Sequence, residues 1–338
     1  MLISRFSALG DVAMTIPAVY DVCEANPEAK FVFITKPHQA SLFLHRPANL
    51  TVVGIDLHEY GGIAGIWALA GELYEKYTPT HYADLHDVLR TKLLRIFMAW
   101  KGVRVRHIDK GRAEKRALTR KNNKRLLPLT PTPVRYRRVF EALRIPIGSS
   151  FKSLWRHGFP PLPTSTVSPK QPGERWIAIA PFAQHAGKCY PLDLMAKVID
   201  HYAPRAEVRL FLFGGGQKET AALHNLAAGR DNVKVVPDMH LNLASELELM
   251  AWCDVMVSMD SANMHLASLA GVRVVSIWGA THPFAGFLGI GQKESDSVQL
   301  SMVCRPCSVY GNKPCRRGDY ACLRTINPQL IIEKVDAC

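Results

Sequence analysis

The chain has 338 residues, 48% hydrophobic and 21% charged, which is ordinary globular usage and excludes disordered and fibrous classes. Two domains of about 150 residues each are the expectation for such a length. Forty-two basic residues against 29 acidic ones leave a net charge of +13, which points to an anionic partner or to a solvated basic surface.

The opening MLISRFSALGD reads as an apolar strand entering a glycine turn, not as a secretion signal. No charge-free apolar run nears the ~18 residues that cross a bilayer, so a soluble, cytosolic protein is expected. Residues 2–6 form the first expected strand. Residues 12–24 carry apolar side chains at helical spacing, with Pro17 early, where its missing N–H costs least. Strands follow at 30–35 and 51–55, a helix at 63–77, a buried strand at 82–85, a helix at 88–100, a strand at 103–108 and a helix at 134–143. Residues 101–125 hold eleven Lys or Arg and two acids, a charge of +9 in 25 residues.

Residues 159–173 contain five prolines and read as a linker between an N-terminal domain, 1–158, and a C-terminal domain, 174–338. The second half alternates again. Strands are expected at 176–180, 207–213, 233–236, 254–258 and 272–277, with helices from about 192, from 218, at 243–252 and at 262–270. Such β-α-β alternation implies two doubly wound parallel sheets with helices on both faces. Ligands then bind beyond the carboxyl ends of the strands.

Candidate residues cluster at those ends. Ser7, Gly10 and Asp11 lie between the first strand and the first helix; Asp11 is either a first-turn cap or a general base held at the site. Lys188 follows the strand at 176–180, where a lysine can neutralise a diphosphate or simply be solvated. Gly214 and Gly215 permit close approach of a nucleotide, but they lack the G-x-G-x-x-G spacing of an ordinary NAD site. Glu219 is either a ribose-binding acid or a first-turn helix acid. At Asp260, Ser261, Ala262, Asn263, Met264 and His265 a strand gives way to a helix, and successive N–H groups there can hold phosphate. The competing reading is a capped helix with an interior imidazole.

The runs ISRFSALGDVAMTIPAVYDV, PFAQHAGKCYPLDLMAKVI, LFLFGGGQKE and CDVMVSMDSANMHLASLAGVRVVSIWGATHP, with the closing CRPC segment and INPQLIIEKV, resemble the bacterial heptosyltransferases of glycosyltransferase family 9 in order along nearly the whole chain. The resemblance implies an α/β chain of GT-B fold, two Rossmann-like domains facing a central cleft. It implies inverting, metal-independent transfer of a heptose from ADP-heptose to the anionic lipopolysaccharide core, by a cytoplasmic enzyme peripheral to the inner face of the membrane. Another nucleotide sugar or another glycolipid acceptor is the alternative. Within the family pattern Asp11 looks like the base, Lys188 the leaving-group stabiliser, Glu219 the ribose acid, and 260–265 the sugar and phosphate site. Two departures stand out. Many members have Asp-Thr-Gly-Pro-x-His where this chain has Ala262 and Asn263, and Arg-Trp where it has Cys189 and Tyr190.

Within the basic segment, Arg112, Lys115, Arg116 and Arg120 are the expected contacts to acceptor anions or, transiently, to an anionic membrane surface. No Phe, Tyr or Trp lies within 101–125, so base stacking has no support and nucleic acid is not an expected partner. No carboxylate cluster calls for Mg²⁺, and neither a metal nor a cofactor is expected. Cys304, Cys307, Cys315, Cys322 and Cys338 crowd the last 35 residues. The spacing C-x₂-C-x₇-C-x₆-C is irregular for a zinc ribbon, which leaves structural zinc and reduced thiols in a packed tail as the two readings.

Overall fold

The computed structural model describes residues 1–156, 158–164 and 166–337. Ser165 of the expected linker and Cys338 of the cysteine group lie outside the described residues. The chain divides into two compact units, one of Met1–Lys110 with Pro131–Leu154 and one of Gly111–Thr130 with Trp155–Cys338.

In the first unit, strands β1 (Leu2–Ser4), β2 (Phe31–Thr35), β3 (Leu50–Gly54), β4 (His81–Asp84) and β5 (Arg104–His107) form a parallel sheet in the order β3-β2-β1-β4-β5. β2 reads FVFIT and is buried throughout, as a parallel strand covered on both faces requires. The expected helix at 12–24 is two, α1 (Leu9–Ala13) and α2 (Ile16–Glu24). Pro17, in the first turn of α2, has no N–H to continue the ladder from α1. The Thr15 N–H and hydroxyl both donate to the Val12 carbonyl, at 2.9 and 2.7 Å, which closes the turn between the two helices. The short α3 (Pro37–Ala40) follows β2, while α4 (Gly62–Tyr77) and α5 (Leu89–Trp100) pack Leu69, Leu73, Leu94 and Phe97 onto the sheet. Each such buried side chain contributes about 1.5–3 kcal/mol relative to exposure.

The segment expected to complete the first domain departs from it. Residues 111–130 group with the second unit, where α6 (Arg112–Thr119) forms. Long-range contacts hold it there. Lys124 Nζ donates to the carbonyls of Cys304 at 2.8 Å and Pro306 at 3.0 Å, Leu129 N–H to Phe284 at 2.9 Å, and Lys115 Nζ stands 4.2 Å from the centroid of Phe287. The helix α7 (Thr132–Ala142) belongs to the first unit again.

The second unit is a parallel sheet of β6 (Arg175–Ala180), β7 (Val208–Leu212), β8 (Val233–Val235), β9 (Val255–Met259), β10 (Arg273–Ile277) and β11 (Ser297–Val298), in the order β11-β10-β9-β6-β7-β8. Helices α8 (Leu192–Tyr202), α9 (Gly216–Ala227), α10 (Leu243–Trp252), α11 (Ala262–Leu269), α12 (Ala321–Arg324) and α13 (Pro328–Asp336) accompany it. Ile177, Leu210, Val257, Ile277 and Ile331 share one core. The proline-rich stretch carries no helix or strand among its described residues and lies on this unit: Trp252 Nε1 donates to the Pro160 carbonyl at 3.2 Å, and Lys170 pairs with Asp254 at 2.7 Å.

Each sheet has one point where the chain reverses its direction of growth, between β1 and β4 in the first and between β6 and β9 in the second. The loops leaving these strands are therefore splayed apart at their carboxyl ends, where α/β sheets place ligands.

Candidate active site

In the first unit the chain leaves β1 through Arg5–Ala8 and enters α1, with Asp11 in its first turn. The Asp11 carboxylate accepts from the Ala8 N–H at 3.3 Å and pairs with Arg5 Nη2 at 2.7 Å. Capping and presentation thus coexist in one residue. Arg5 is buried, donates to the Leu85 carbonyl at 2.6 Å and stands 5.8 Å from the centroid of Tyr136. Burial depresses its guanidinium, but the neighbouring Tyr136 and Asp11 outweigh this and hold it above the ordinary arginine value. The Asp11 side chain keeps 30% of its surface exposed, so one face of the carboxylate stays open.

Ser7 and Gly10 were singled out from the sequence together with Asp11. Gly10 is buried within α1, and the Ser7 hydroxyl lies 3.3 Å from His86 Nε2. His86 was not singled out, and its signal was its place after the strand at 82–85. It follows β4 at the same switch point and accepts from the Phe6 N–H at 3.5 Å. Burial first, and then Arg5 and Lys110, push its pKa down to about 3, so the ring is neutral at neutral pH. Asp84 fixes this loop by accepting from the N–H groups of His86 at 2.8 Å and Asp87 at 2.9 Å.

In the second unit, Lys188 ends a short turn after β6, and Asp260 follows β9. Their side chains pair at 3.0 Å, with Asp260 almost wholly buried. Ser261 occupies the N-cap of α11 without a side-chain cap, its hydroxyl lying 3.3 Å from that of Ser258. The first amides of α11 therefore have no side-chain cap, and a helix N-terminus of this kind can receive an anion. Ala262 and Asn263 are partly exposed, whereas Met264 and His265 are buried, so Met264 offers this site a backbone N–H only.

Glycines set the position of Lys188. A Cβ on Gly311, whose φ is +75°, would lie 2.4 Å from Lys188 Cγ, and one on Gly279 would lie 2.6 Å from the Gly187 carbonyl oxygen. The buried Arg305 donates to the carbonyls of Gly279 and Thr281, tying the cysteine-rich segment to the same wall. Sequence reasoning does not reach Gly311 and Gly279; a glycine facing a chain segment 123 or 92 residues away leaves no local signal.

Gly214 and Gly215 follow β7, and the Gly215 N–H donates to Glu219 at 2.9 Å, so Glu219 here caps its own helix. Arg112, Arg116 and Arg120 are exposed around α6, while Lys115 is buried on Phe287. Glu246, in the first turn of α10, is pushed up to about 7 by burial.

Cys304, Cys307, Cys315 and Cys322 line one largely enclosed cavity of about 10 Å³. Burial raises the Cys322 thiol to about 11. At Cys315 burial acts the same way but is outweighed by hydrogen bonds from the backbone at Tyr320, Arg317, Gly318 and Asp319, and the thiol lies below its ordinary value. The described cysteines are all free thiols. Among the described residues no group of three or more His, Cys, Asp and Glu side chains is placed to hold a metal ion.

Comparison with known proteins decides the family. The model of glycosyltransferase family 9 (heptosyltransferase) matches residues 137–314, just over half of the chain. The chain belongs to glycosyltransferase family 9. It is therefore an enzyme, a glycosyltransferase. Its relatives in that family include lipopolysaccharide heptosyltransferase 1 of Pseudomonas aeruginosa, 23% identical with 100% of this chain and 97% of the relative covered. Lipooligosaccharide heptosyltransferase 2 of Campylobacter jejuni is 20% identical, with 96% and 94% covered. Among solved structures, Escherichia coli heptosyltransferase WaaC with ADP superposes with a TM-score of 0.70 at 18% identity, covering 99% of this chain and 98% of that one. The expected GT-B class of fold is the fold of these family 9 neighbours.

Proposed function

We propose that this family 9 enzyme transfers a heptose from ADP-heptose to the core oligosaccharide of lipopolysaccharide, with inversion at the anomeric carbon and without a metal ion, at the cytoplasmic face of the inner membrane. The Lys188–Asp260 pair beside the uncapped start of α11 carries this reading. A departing nucleoside diphosphate gains negative charge, which an ammonium group and a helix N-terminus stabilise as it develops. Asp260 holds the Lys188 ammonium in place and can accept from hydroxyls of the sugar.

On the acceptor side Asp11 takes the proton of the attacking hydroxyl while the new C–O bond forms and the bond to the diphosphate oxygen breaks. Arg5 fixes the carboxylate through one oxygen. Attack opposite the leaving group inverts the anomeric centre. Ser7 and Gly10 border the acceptor. Glu219 binds the ribose by exchanging the Gly215 N–H for a hydroxyl, with Gly214 and Gly215 allowing the close approach. The amides from Ser261 to His265 bind phosphate. The exposed Arg112, Arg116 and Arg120 bind acceptor anions; Lys115 joins them only if it leaves Phe287.

The heptosyltransferase names of the two curated relatives, and a neighbour in fold described with ADP-2-deoxy-2-fluoro heptose, support this choice of donor and acceptor. The test is a panel of nucleotide sugars offered with a core acceptor and read by product mass. A heptose added from ADP-heptose is expected. Transfer only from another nucleotide sugar would replace the donor, and transfer from none would overturn the reading.

A further inference from the structure

No helix among the described residues is long and apolar enough to cross a membrane, yet one face of the first unit is apolar and open. Ile63 and Trp67 on α4, four residues apart, share one helix face, and Ile96 and Trp100 on α5 repeat the spacing. Ile63 is 69% exposed, Ile96 58% and Trp100 69%; Leu89, one heptad before Ile96, is 77% exposed. The two helices join in one surface: the Trp67 ring lies 4.9 Å from Phe97, edge-on, and 6.4 Å from Trp100. Burying these side chains in the core would have been the ordinary outcome, and contiguous exposed apolar side chains of this size mark an interaction surface.

The charge carried by α5 and the strand after it names the occupant. Between residues 88 and 108 there are six basic residues and no acid. Arg95 is engaged with Asp84 and Asp87. Arg90, Lys92, Lys101, Arg104 and Arg106 are exposed. Lys101 Nζ stands 4.8 Å from the centroid of Trp100, so cation and indole are presented side by side. A second copy of the chain would bring the same five cations against themselves, which like-charge repulsion opposes. An anionic bilayer satisfies both parts: indoles settle at the headgroup level, apolar side chains enter the acyl boundary, and the cations meet anionic headgroups.

We propose that the Ile63–Trp67 and Ile96–Trp100 face, with the basic residues of its α5 side, is an interfacial docking surface for anionic membrane. This surface lies on α4 and α5, away in sequence from the α6 region first expected to make that contact. The inference rests on the proposed function only for its purpose, to bring the enzyme to a lipid-anchored acceptor.

The test is sedimentation of the full chain with phosphatidylethanolamine–phosphatidylglycerol vesicles or with phosphatidylcholine vesicles, in the absence of donor and acceptor. Binding to the anionic vesicles alone is expected, weakened by salt and accompanied by a blue shift of indole emission. The double variant Ile96→Glu, Trp100→Glu should lose binding, and Lys92→Ser and Lys101→Ser should each weaken it about fivefold. All these side chains are exposed, and an unchanged melting midpoint confirms that the fold is kept. Equal binding to both vesicle types, binding by the double variant, or a change in oligomeric state of that variant would overturn the proposal. A water-soluble, deacylated acceptor separates the two claims. Failure of wild-type transfer to it sinks the proposed function and leaves the docking surface standing. Transfer to it by the double variant at the wild-type rate, with loss of transfer on vesicles, is the outcome expected if both hold.

Discussion

The two strand-end sites solve one topological problem with opposite chemistry. At the β1–β4 switch point the proposed working group is a carboxylate, Asp11, tied to an arginine six residues before it. At the β6–β9 switch point the proposed working group is an ammonium, Lys188, tied to a carboxylate 72 residues after it. The first site is assembled almost within one turn of chain and leaves one carboxylate face open. The second is wedged by residues from distant segments, Gly279, Arg305 and Gly311. A base that must receive a proton can be local and partly wet, whereas a group that stabilises a developing charge gains from a preorganised wall.

Breaking the first site gives the largest expected effect. Asp11→Asn removes the proton acceptor while keeping its size, and turnover should fall by at least ~100-fold. Steady-state rates at saturating substrates check this, and near-normal turnover would remove Asp11 from the chemistry.

The wedge of the second site is the next target. Gly311→Ala places a methyl against the Lys188 stem at a positive φ, so Lys188 must move. ADP affinity should drop about tenfold, in keeping with loss of one charge-assisted hydrogen bond, while acceptor KM holds. Titration calorimetry for ADP checks it; unchanged affinity would mean that Lys188 does not depend on the wedge.

The contrast also explains what the sequence could and could not reveal. The strands β2 and β6 are nearly continuous apolar runs, and β7 and β10 are apolar runs broken by one or two polar residues; all four are legible as strands. The placement of Asp11, Lys188 and Asp260 is legible because each comes after a short apolar strand, β1, β6 or β9. Gly311 and Arg305 are not, since their partners lie far along the chain. For the same reason the grouping of residues 111–130 with the second unit is not legible: their charge is visible in sequence, but Lys124 and Leu129 find their partners more than 150 residues away. His86 is not legible because its surroundings come from Arg5 and Ser7, about 80 residues earlier, folded against it. The break between α1 and α2 followed from Pro17, whose effect on the preceding turn outweighed the helical spacing around it.

A pH test sharpens the comparison by probing a carboxyl unlike Asp11, half-buried and with no opposite charge among the causes of its shift. Glu246 has its pKa raised from 4.5 to about 7 by burial. The folded state therefore favours the protonated form. Its penalty is absent below pH 4.5, grows as pH rises towards 7 and is complete above it. Glu246→Gln should thus stabilise the protein at pH 8 by at most about 3 kcal/mol and give no advantage near pH 4. Chemical denaturation at the two pH values reads it, and an equal effect at both would show that burial of the charge is not the cause.

The smallest expected effect lies outside both sites. Arg112→Ser, Arg116→Ser and Arg120→Ser together should raise the acceptor KM and leave ADP affinity unchanged, since all three side chains are exposed around α6. An unchanged KM would leave that surface without a part in acceptor capture.

The division of labour between the sites is tested most directly by ADP binding, measured by calorimetry, in Asp11→Asn and Lys188→Ala side by side. The expected result is wild-type affinity in Asp11→Asn and a loss of about 10- to 100-fold in Lys188→Ala, the worth of a hydrogen bond to a charged group. Equal affinity in the two variants, or a loss confined to Asp11→Asn, would contradict it.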